Sequence, residues 1–272
     1  MRKRIKVTQD IEGIMSIKTF DIVRKIRQKS RLGVYRELLI FAQKEGYIIT
    51  SLIEWFHKYC QNGQRVLILR HDVDIDTEGA AKMYAIEKSL GVHATYYFRW
   101  KTVSEALVYK MRRDGFEASL HYETLATYCK KHNIKDAKRV TDTVMKTCFN
   151  LLEKEISRFK TQFGGIQTIA SHGDKRNRIL GIPNHAILKY GNRADLDIQF
   201  EAYDPEITML FDAYISDSSI TNNFNWKYGL TPQEAIRSHL TTICLLTHPE
   251  HWNFNFKKNM KTIITDICER LS

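Results

Sequence analysis

The sequence predicts an α/β fold built on a parallel β-sheet, open or closed, and three observations lead to this prediction. From residue 66 onwards, short apolar runs alternate with segments of helical periodicity, which is typical of parallel sheets. Several of these runs end abruptly in histidine or aspartate, as strands do where α/β barrels place their chemistry. The chain has 272 residues, of which 43% are hydrophobic, so it can build one large core. One barrel of roughly 200–250 residues with an extension fits this length.

The most informative stretch is an apolar run over residues 66–69 that ends in His71, Asp72 and Asp74. The run is typical of a buried strand. Two carboxylates and an imidazole at one rim are costly unless they are solvated, paired or bound to a metal. The two acids could instead cap the following helix, but Thr77 is the better N-cap candidate. We therefore interpret the stretch as functional.

Residues 1–64 are predicted to form a basic, mostly helical extension, and residues 65–272 to form the barrel. Within the extension, apolar spacing predicts helices over 34–45 and 52–59, separated by a short strand at 47–50.

The alternation that follows predicts the elements of the barrel in order. Glycines close two of the helices, and Pro232 stands at the first turn of another. Residues 175–210 are poorly periodic and predict long loops with short elements. The predicted strands are 66–69, 94–98, 116–120, 167–170, 211–215 and 242–246, and the predicted helices are 77–90, 104–114, 136–159, one from 232, and 256–271.

Composition limits the location and the partners of the chain. No run of about 18 apolar residues is present, so we expect no transmembrane helix. The N-terminus lacks the continuous apolar core of a secretory signal. The five cysteines are scattered without a C-x-x-C motif, which favours reduced thiols in a cytoplasm and argues against a cysteine-rich zinc site.

The formal net charge is +11, and much of the excess lies in residues 1–31. Such a segment could contact nucleic acid, anionic lipid or a nucleotide-linked substrate, although a solvated basic helix explains it as well. We see no helix-turn-helix, zinc-finger or aromatic RNA-binding pattern, so no nucleic-acid partner is expected.

Five predicted strand ends carry side chains that can bind ligands or metals. In a parallel barrel these ends share one rim around a central cleft. Imidazole and carboxylate groups together suit zinc or a similar ion, and a further acid and imidazole can move protons during hydrolysis of an amide or ester. The five groups are His71-Asp72-Val73-Asp74, His121-Tyr122-Glu123, His172-Gly173-Asp174, Asp217-Ser218 and His248.

Five motifs give the chain a resemblance to the polysaccharide deacetylase-like proteins. They are Leu-Arg-His-Asp-Val-Asp at 69–74, Thr-Tyr-Tyr-Phe at 95–98, Glu-Ala-Ser-Leu-His-Tyr-Glu at 117–123, Ser-His-Gly at 171–173 and Leu-Thr-His-Pro at 246–249. The resemblance implies a distorted (β/α)7-type TIM-like barrel, here with an N-terminal helical extension. It also implies a divalent metal, most often zinc, and removal of acetyl groups from N-acetylated sugars.

Carried over by position, the resemblance makes Asp72 the catalytic base, Asp74 and His121 metal ligands, and His248 the catalytic acid. The chain departs from the family pattern because Leu125 stands where the family's second histidine would follow His121. It also lacks an evident Arg-x-Pro motif, and a valine separates its two acids.

His172 is the first candidate for the missing third ligand, and Glu123 is the alternative. Arg70, His71, Glu123 and Asp217 are candidate substrate-binding residues. Simpler interpretations exist for three of them: His71 could pair with a neighbouring carboxylate, Arg70 could neutralise Asp72 or Asp217, and Glu123 could cap a loop.

The sequence therefore predicts a zinc-dependent, cytoplasmic hydrolase that removes an acyl group, such as acetyl, from an amino sugar or glycan precursor. By analogy with the family, surface-polysaccharide biosynthesis is the expected context. Two alternatives stay open: a catalytically degenerate barrel that binds carbohydrate or a partner protein, and a hydrolase of another C–N bond.

Overall fold

The computed structural model of the protein describes residues 28–217 and 226–254, together with residues 260 and 264. Most of the basic segment 1–31 lies outside the described residues. The terminal helix expected over 256–271 also lies outside them, apart from two positions. Within these described residues lie the strands and helices that build the fold.

A parallel sheet of eight strands forms the centre of the fold. The strands are β1 (Ile48–Thr50), β2 (Val66–Val73), β3 (Thr95–Phe98), β4 (Glu117–Tyr122), β5 (Thr168–Ser171), β6 (Phe200–Glu201), β7 (Ala213–Ser216) and β8 (Thr242–Thr247). The main path runs β6-β5-β4-β3-β2-β8-β7, and β1 pairs with β2 beside this path. Every pairing is parallel. The curled sheet with its surrounding helices confirms the predicted α/β class and the distorted (β/α)7-type barrel.

Nine α-helices surround the sheet in the described part of the chain. They are α1 (Leu32–Lys44), α2 (Leu52–Lys58), α3 (Thr77–Ser89), α4 (Glu105–Arg113), α5 (Thr124–Lys131), α6 (Asp142–Phe163), α7 (Lys175–Leu180), α8 (Pro205–Thr208) and α9 (Pro232–Arg237). The poorly periodic region 175–210 contains only short elements, as expected, including 3₁₀ helices at Asn184–Tyr190 and Arg193–Leu196.

Three local predictions were wrong. The N-cap of α3 is Asp76 and not Thr77, because the Asp76 carboxylate accepts the Gly79 N–H at 2.9 Å, while the Thr77 hydroxyl donates to the Thr102 carbonyl. The long helix expected from residue 136 begins only at Asp142, where Thr141 provides the cap. The sequence analysis also missed α5, a short helix that directly follows β4.

The central strand β2 is longer than predicted and contains the polar residues that were expected after its end. All eight of its residues are buried. Its first half pairs with β1, its second half pairs with β3, and β8 runs along its other edge. Since successive side chains alternate between faces, Val66, Ile68, Arg70 and Asp72 share the inner face of the barrel.

The outer face of β2 packs against the helices. Leu67, Leu69 and Val73 belong to the large core beneath α1, α3 and α4, whereas Val66 and Ile68 belong to a separate cluster inside the barrel. His71 lies on the outer face, and its Nε2 atom is 2.9 Å from Glu87 Oε1 in α3. The alternation therefore separates His71 from Asp72, although the two residues are adjacent.

Four of the cysteines lie in the described part of the chain, as do the helices around the sheet. Cys60, Cys129, Cys148 and Cys244 form no disulfide. Three of these thiols are buried, where a cysteine packs as a small apolar side chain. Within the described ranges, the model contains no helix that is both long enough and apolar enough to cross a membrane.

Replacing Glu87 by alanine should lower the free energy of unfolding by about 3–5 kcal/mol. Glu87 is fully buried and accepts from the Tyr35 hydroxyl at 2.5 Å and the Tyr96 hydroxyl at 2.7 Å, so its loss leaves three buried groups without an acceptor. Urea denaturation followed by circular dichroism measures the effect. Glu153→Ala, at an exposed position of α6, is the control, and an equally small loss in both variants would contradict the prediction.

Candidate active site

A cleft of about 510 Å³ lies at the carboxyl ends of the strands. Five of its lining residues were predicted from the sequence to share one rim. Asp72 and Asp74 come from the end of β2, His121 from β4, His172 from the residue after β5, and His248 from the residue after β8. The parallel sheet therefore gathers side chains that are up to 176 positions apart in the sequence.

A larger cavity of about 1030 Å³ lies at the opposite ends of the strands, but its two glutamates already have hydrogen-bond partners. Glu54 accepts from Lys58 and lies 3.1 Å from the His93 ring. Glu117 accepts from the hydroxyl groups of Thr95 and Thr168. In barrels of this type, the amino-terminal face contributes to stability and the carboxyl-terminal face to chemistry. We therefore place the candidate site at the smaller cleft.

Asp74, His121 and His172 form the centre of the cleft. Asp74 Oδ1 lies 3.2 Å from His121 Nε2 and 3.0 Å from His172 Nδ1. Neither contact has hydrogen-bonding geometry, and this buried oxygen has no hydrogen-bond partner among the described residues. The three ligand atoms lie within 4.8 Å of one another. One carboxylate and two imidazoles are a typical three-ligand set for catalytic zinc, so these residues fit the ion that the resemblance implies.

The orientation of His121 supports the same interpretation. Its Nδ1 atom lies 3.0 Å from the Ala170 carbonyl oxygen, which can only accept a proton. In the neutral ring this contact leaves the Nε2 lone pair directed towards Asp74. Histidine ligands of metals commonly donate their second N–H to such an oxygen.

The charges at this centre stabilise one another. Burial raises the pKa of Asp74, but His121 and His172 outweigh it and hold the pKa well below the ordinary value. Burial lowers the pKa of His121, and Asp72 and Asp74 together raise it above the ordinary value. The carboxylate is therefore ionised and available as a ligand at neutral pH.

Glu123, the alternative ligand, already has a cationic partner. It lies with His172 and Asp174 in a second group of potential ligands. However, Arg99 donates to both oxygens of Glu123, and Lys130 donates to Asp174, which also caps α7. The geometry therefore favours His172 over Glu123 as the third ligand.

Asp72 is held by Arg70 inside the barrel. The guanidinium donates two hydrogen bonds of 2.9 Å to the two carboxylate oxygens. It also lies 4.2 Å from the Tyr203 ring centroid and 5.2 Å from that of Tyr97. Burial raises the pKa of Asp72, but Arg70 and His121 outweigh this effect. The pKa is therefore below its ordinary value and the group is ionised. Since Arg70 is only 1% exposed, the structure does not support the substrate contact expected of it.

Asp217 contacts His248 and does not line the cleft. Its carboxylate lies 2.6 Å from His248 Nδ1, and it accepts from the His248 backbone N–H at 2.9 Å and the Trp252 indole at 2.8 Å. Burial lowers the pKa of His248, but Asp217 outweighs it and raises the pKa to about 10. Asp217 is fully buried, so the substrate-binding role expected for it is not supported.

His71 is likewise turned away from the cleft. Besides its contact with Glu87, its Nδ1 atom lies 2.6 Å from the Thr247 hydroxyl, and the ring is fully buried. His71 is therefore paired with a carboxylate, as the simpler interpretation of the sequence expected. Its position does not support a contact with substrate.

The sequence analysis missed Glu250, Tyr203 and Tyr214, which also line the cleft. Glu250 could have been found, because it lies three residues after the end of β8 and two residues after His248. Burial raises its pKa to about 7. The two tyrosines belong to the poorly patterned region around β6 and β7, where the sequence offered no comparable signal.

No protein-family model and no curated protein matches the chain. Among solved structures, three neighbours are forms of one CE4 family pseudoenzyme from Bacillus anthracis: the wild type (13% identity, TM-score 0.39), a mutant (14%, 0.40) and a mutant with restored enzymatic activity (13%, 0.41). Each alignment covers 76% of this chain and 62–64% of the other, so the chain spans less than two thirds of these structures. The similarity is too low to support an inference about activity.

Replacing Asp217 by asparagine should lower the pKa of His248 below about 10, because the carboxylate that raises it most is removed and only Asp74 and Asp72 still oppose the effect of burial. Histidine ring signals in an NMR titration report the pKa in the folded protein. Asp142→Asn, on the exposed first turn of α6, should leave it unchanged. A His248 pKa equal in wild type and Asp217→Asn would show that the carboxylate does not control this imidazole.

Proposed function

We propose that the protein is a metal-dependent hydrolase that removes an acyl group, such as acetyl, from an amino sugar or glycan precursor. The observation that carries the proposal is the convergence of Asp74, His121 and His172 in one cleft beside a carboxylate, Asp72, and an imidazole, His248. A ligand set, a proton acceptor and a proton donor are the groups that amide hydrolysis requires.

Asp74, His121 and His172 would hold the divalent ion, with zinc the best match to one oxygen and two nitrogen ligands. When bound, the ion supplies Lewis acidity towards the acyl carbonyl group. The remaining steps belong to the side chains of the chain itself.

Asp72 is the group that would accept a proton from the attacking water. It is ionised, and Arg70 fixes both of its oxygens, so its position does not depend on the substrate. His248 would then donate a proton to the leaving nitrogen. Its raised pKa keeps it protonated at neutral pH, and the hydrogen bond between its Nδ1 atom and Asp217 fixes the orientation of the ring.

The expected setting is a cytoplasmic step of surface-polysaccharide biosynthesis. The described cysteines are all free thiols, which supports a reducing compartment. Lys227 and Arg178 lie at the exposed margin of the cleft and would suit a precursor with an anionic carrier group.

A non-catalytic barrel that binds carbohydrate is the second candidate. The observation in its favour is the state of Asp72, which is 2% exposed and has both oxygens bound by Arg70. A carboxylate so stabilised is a weak proton acceptor, because stabilising its charge lowers its basicity.

We expect the wild-type protein to bind about one zinc ion per chain at the three-ligand site. Asp74→Asn, His121→Ala and His172→Ala should each weaken binding strongly, while Glu123→Ala should not, because Arg99 already occupies that carboxylate. Calorimetric titration of metal-free protein measures the affinity. His132→Ala is the matched control at an exposed histidine. Loss of zinc in Glu123→Ala with retention in His172→Ala would reverse the ligand assignment.

Zinc-loaded protein should release acetate from an N-acetylated sugar such as UDP-N-acetylglucosamine or chitotetraose. Asp72→Asn should reduce kcat by roughly 10²–10⁴-fold, the usual contribution of a general base. A coupled acetate assay measures the rate, with Asp142→Asn as the control. Sugar binding without acetate release by the wild type would favour the second candidate.

A further inference from the structure

Glu250 has a buried acceptor oxygen that no residue in the described part of the chain uses. The residue lies in the 3₁₀ helix Pro249–His251, directly after His248, and its side chain lines the cleft. Its Oε2 atom is shielded from solvent and has no hydrogen-bond partner among the residues that the structure describes. A buried oxygen of this kind is destabilising unless something donates to it, so each one requires an explanation.

The other carboxylates of the cleft already have explanations. Arg70 binds Asp72, while His248 and Trp252 hold Asp217. Asp74 faces two imidazoles in the proposed metal site. Glu250 does not belong to the potential ligand group of Asp74, His121 and His172. It also does not belong to a further potential ligand group, which Asp217 forms with His248 and His251. Its free oxygen is therefore available to a bound molecule.

The charges around Glu250 indicate which kind of donor fits. His248 and His251 stand on either side of it in the sequence, and Asp217 raises the pKa of both imidazoles. Asp74 also acts on Glu250 and raises its pKa, so positive and negative groups already surround this carboxylate. A neutral hydroxyl group can donate to it without adding a further charge to the cleft.

We infer that Glu250 is a specificity-determining residue that accepts a hydrogen bond from a hydroxyl group of a carbohydrate bound in the cleft. The inference rests on the proposed function and deepens it, since it requires a hydroxylated substrate rather than any acylated amine. Sites built to bind a substrate hydroxyl reject the analogue that lacks it, because the buried acceptor is then left unpaired.

The test combines sugar analogues with variants of Glu250. Methyl N-acetylglucosaminide and its 3-deoxy and 6-deoxy analogues are titrated against zinc-free and zinc-loaded protein, and ligand-observed NMR gives the dissociation constants. In the wild type, one deoxy analogue should bind about tenfold more weakly than the parent sugar. Glu250→Ala should bind the parent sugar about tenfold more weakly and should no longer distinguish that analogue. Glu250→Gln keeps an acceptor oxygen and should retain part of the discrimination.

Glu153→Ala, at an exposed carboxylate of α6, should behave as the wild type, and thermal melts establish that each variant is folded. The inference is overturned if Glu250→Ala discriminates the sugars as the wild type does, or if the wild type binds none of them. Sugar binding that depends on Glu250 without acetate release would reject the hydrolase and keep this assignment. Acetate release together with sugar binding that does not depend on Glu250 would support the hydrolase and reject this assignment.

Discussion

The ion pair between Arg70 and Asp72 is the constraint on which the rest of the structure depends. Both residues lie within the central strand β2, whose eight residues are all buried, so both charges are largely removed from bulk water. A buried charge is tolerated only when it is paired in good geometry, and two parallel hydrogen bonds of 2.9 Å satisfy this condition. The flanking tyrosine rings complete the enclosure. Because β2 pairs with β1, β3 and β8, this pair is positioned by the whole sheet.

Around this strand, the structure separates charges that maintain the fold from charges that remain available. His71 and Glu87 pair on the helix side, where two tyrosine hydroxyls complete the network. Arg99 and Lys130 neutralise acids at the rim. After these pairings, the described residues leave Asp74 Oδ1 beside two imidazoles and provide no hydrogen-bond donor for Glu250 Oε2. The proposed metal site and the proposed sugar contact both follow from this difference in pairing.

The same reasoning distinguishes the two cavities of the barrel. The cavity at the amino-terminal ends of the strands is the larger, yet Glu54 and Glu117 there are satisfied by neighbouring groups. The cleft at the carboxyl ends is smaller and contains the acids that lack conventional partners. Volume measures what could enter a site, whereas unsatisfied polar groups indicate what the site can bind. The proposed hydrolysis and the specificity assigned to Glu250 both rest on the unsatisfied polar groups of the cleft and not on its volume.

Local patterns in the sequence were sufficient to predict the parallel α/β class, most strands, and the placement of Asp74, His121, His172 and His248 at strand ends, because each element is encoded by its own periodicity. The sequence could not decide which acids would be neutralised, since Arg99 and Glu123, or Asp217 and His248, meet only when distant elements pack. For the same reason Asp76 replaced Thr77 as a cap, since the Thr77 hydroxyl donates to the distant Thr102 carbonyl. Periodicity is a property of neighbouring residues, but the pairing of charges is a property of the assembled barrel, and only the tertiary structure determined it.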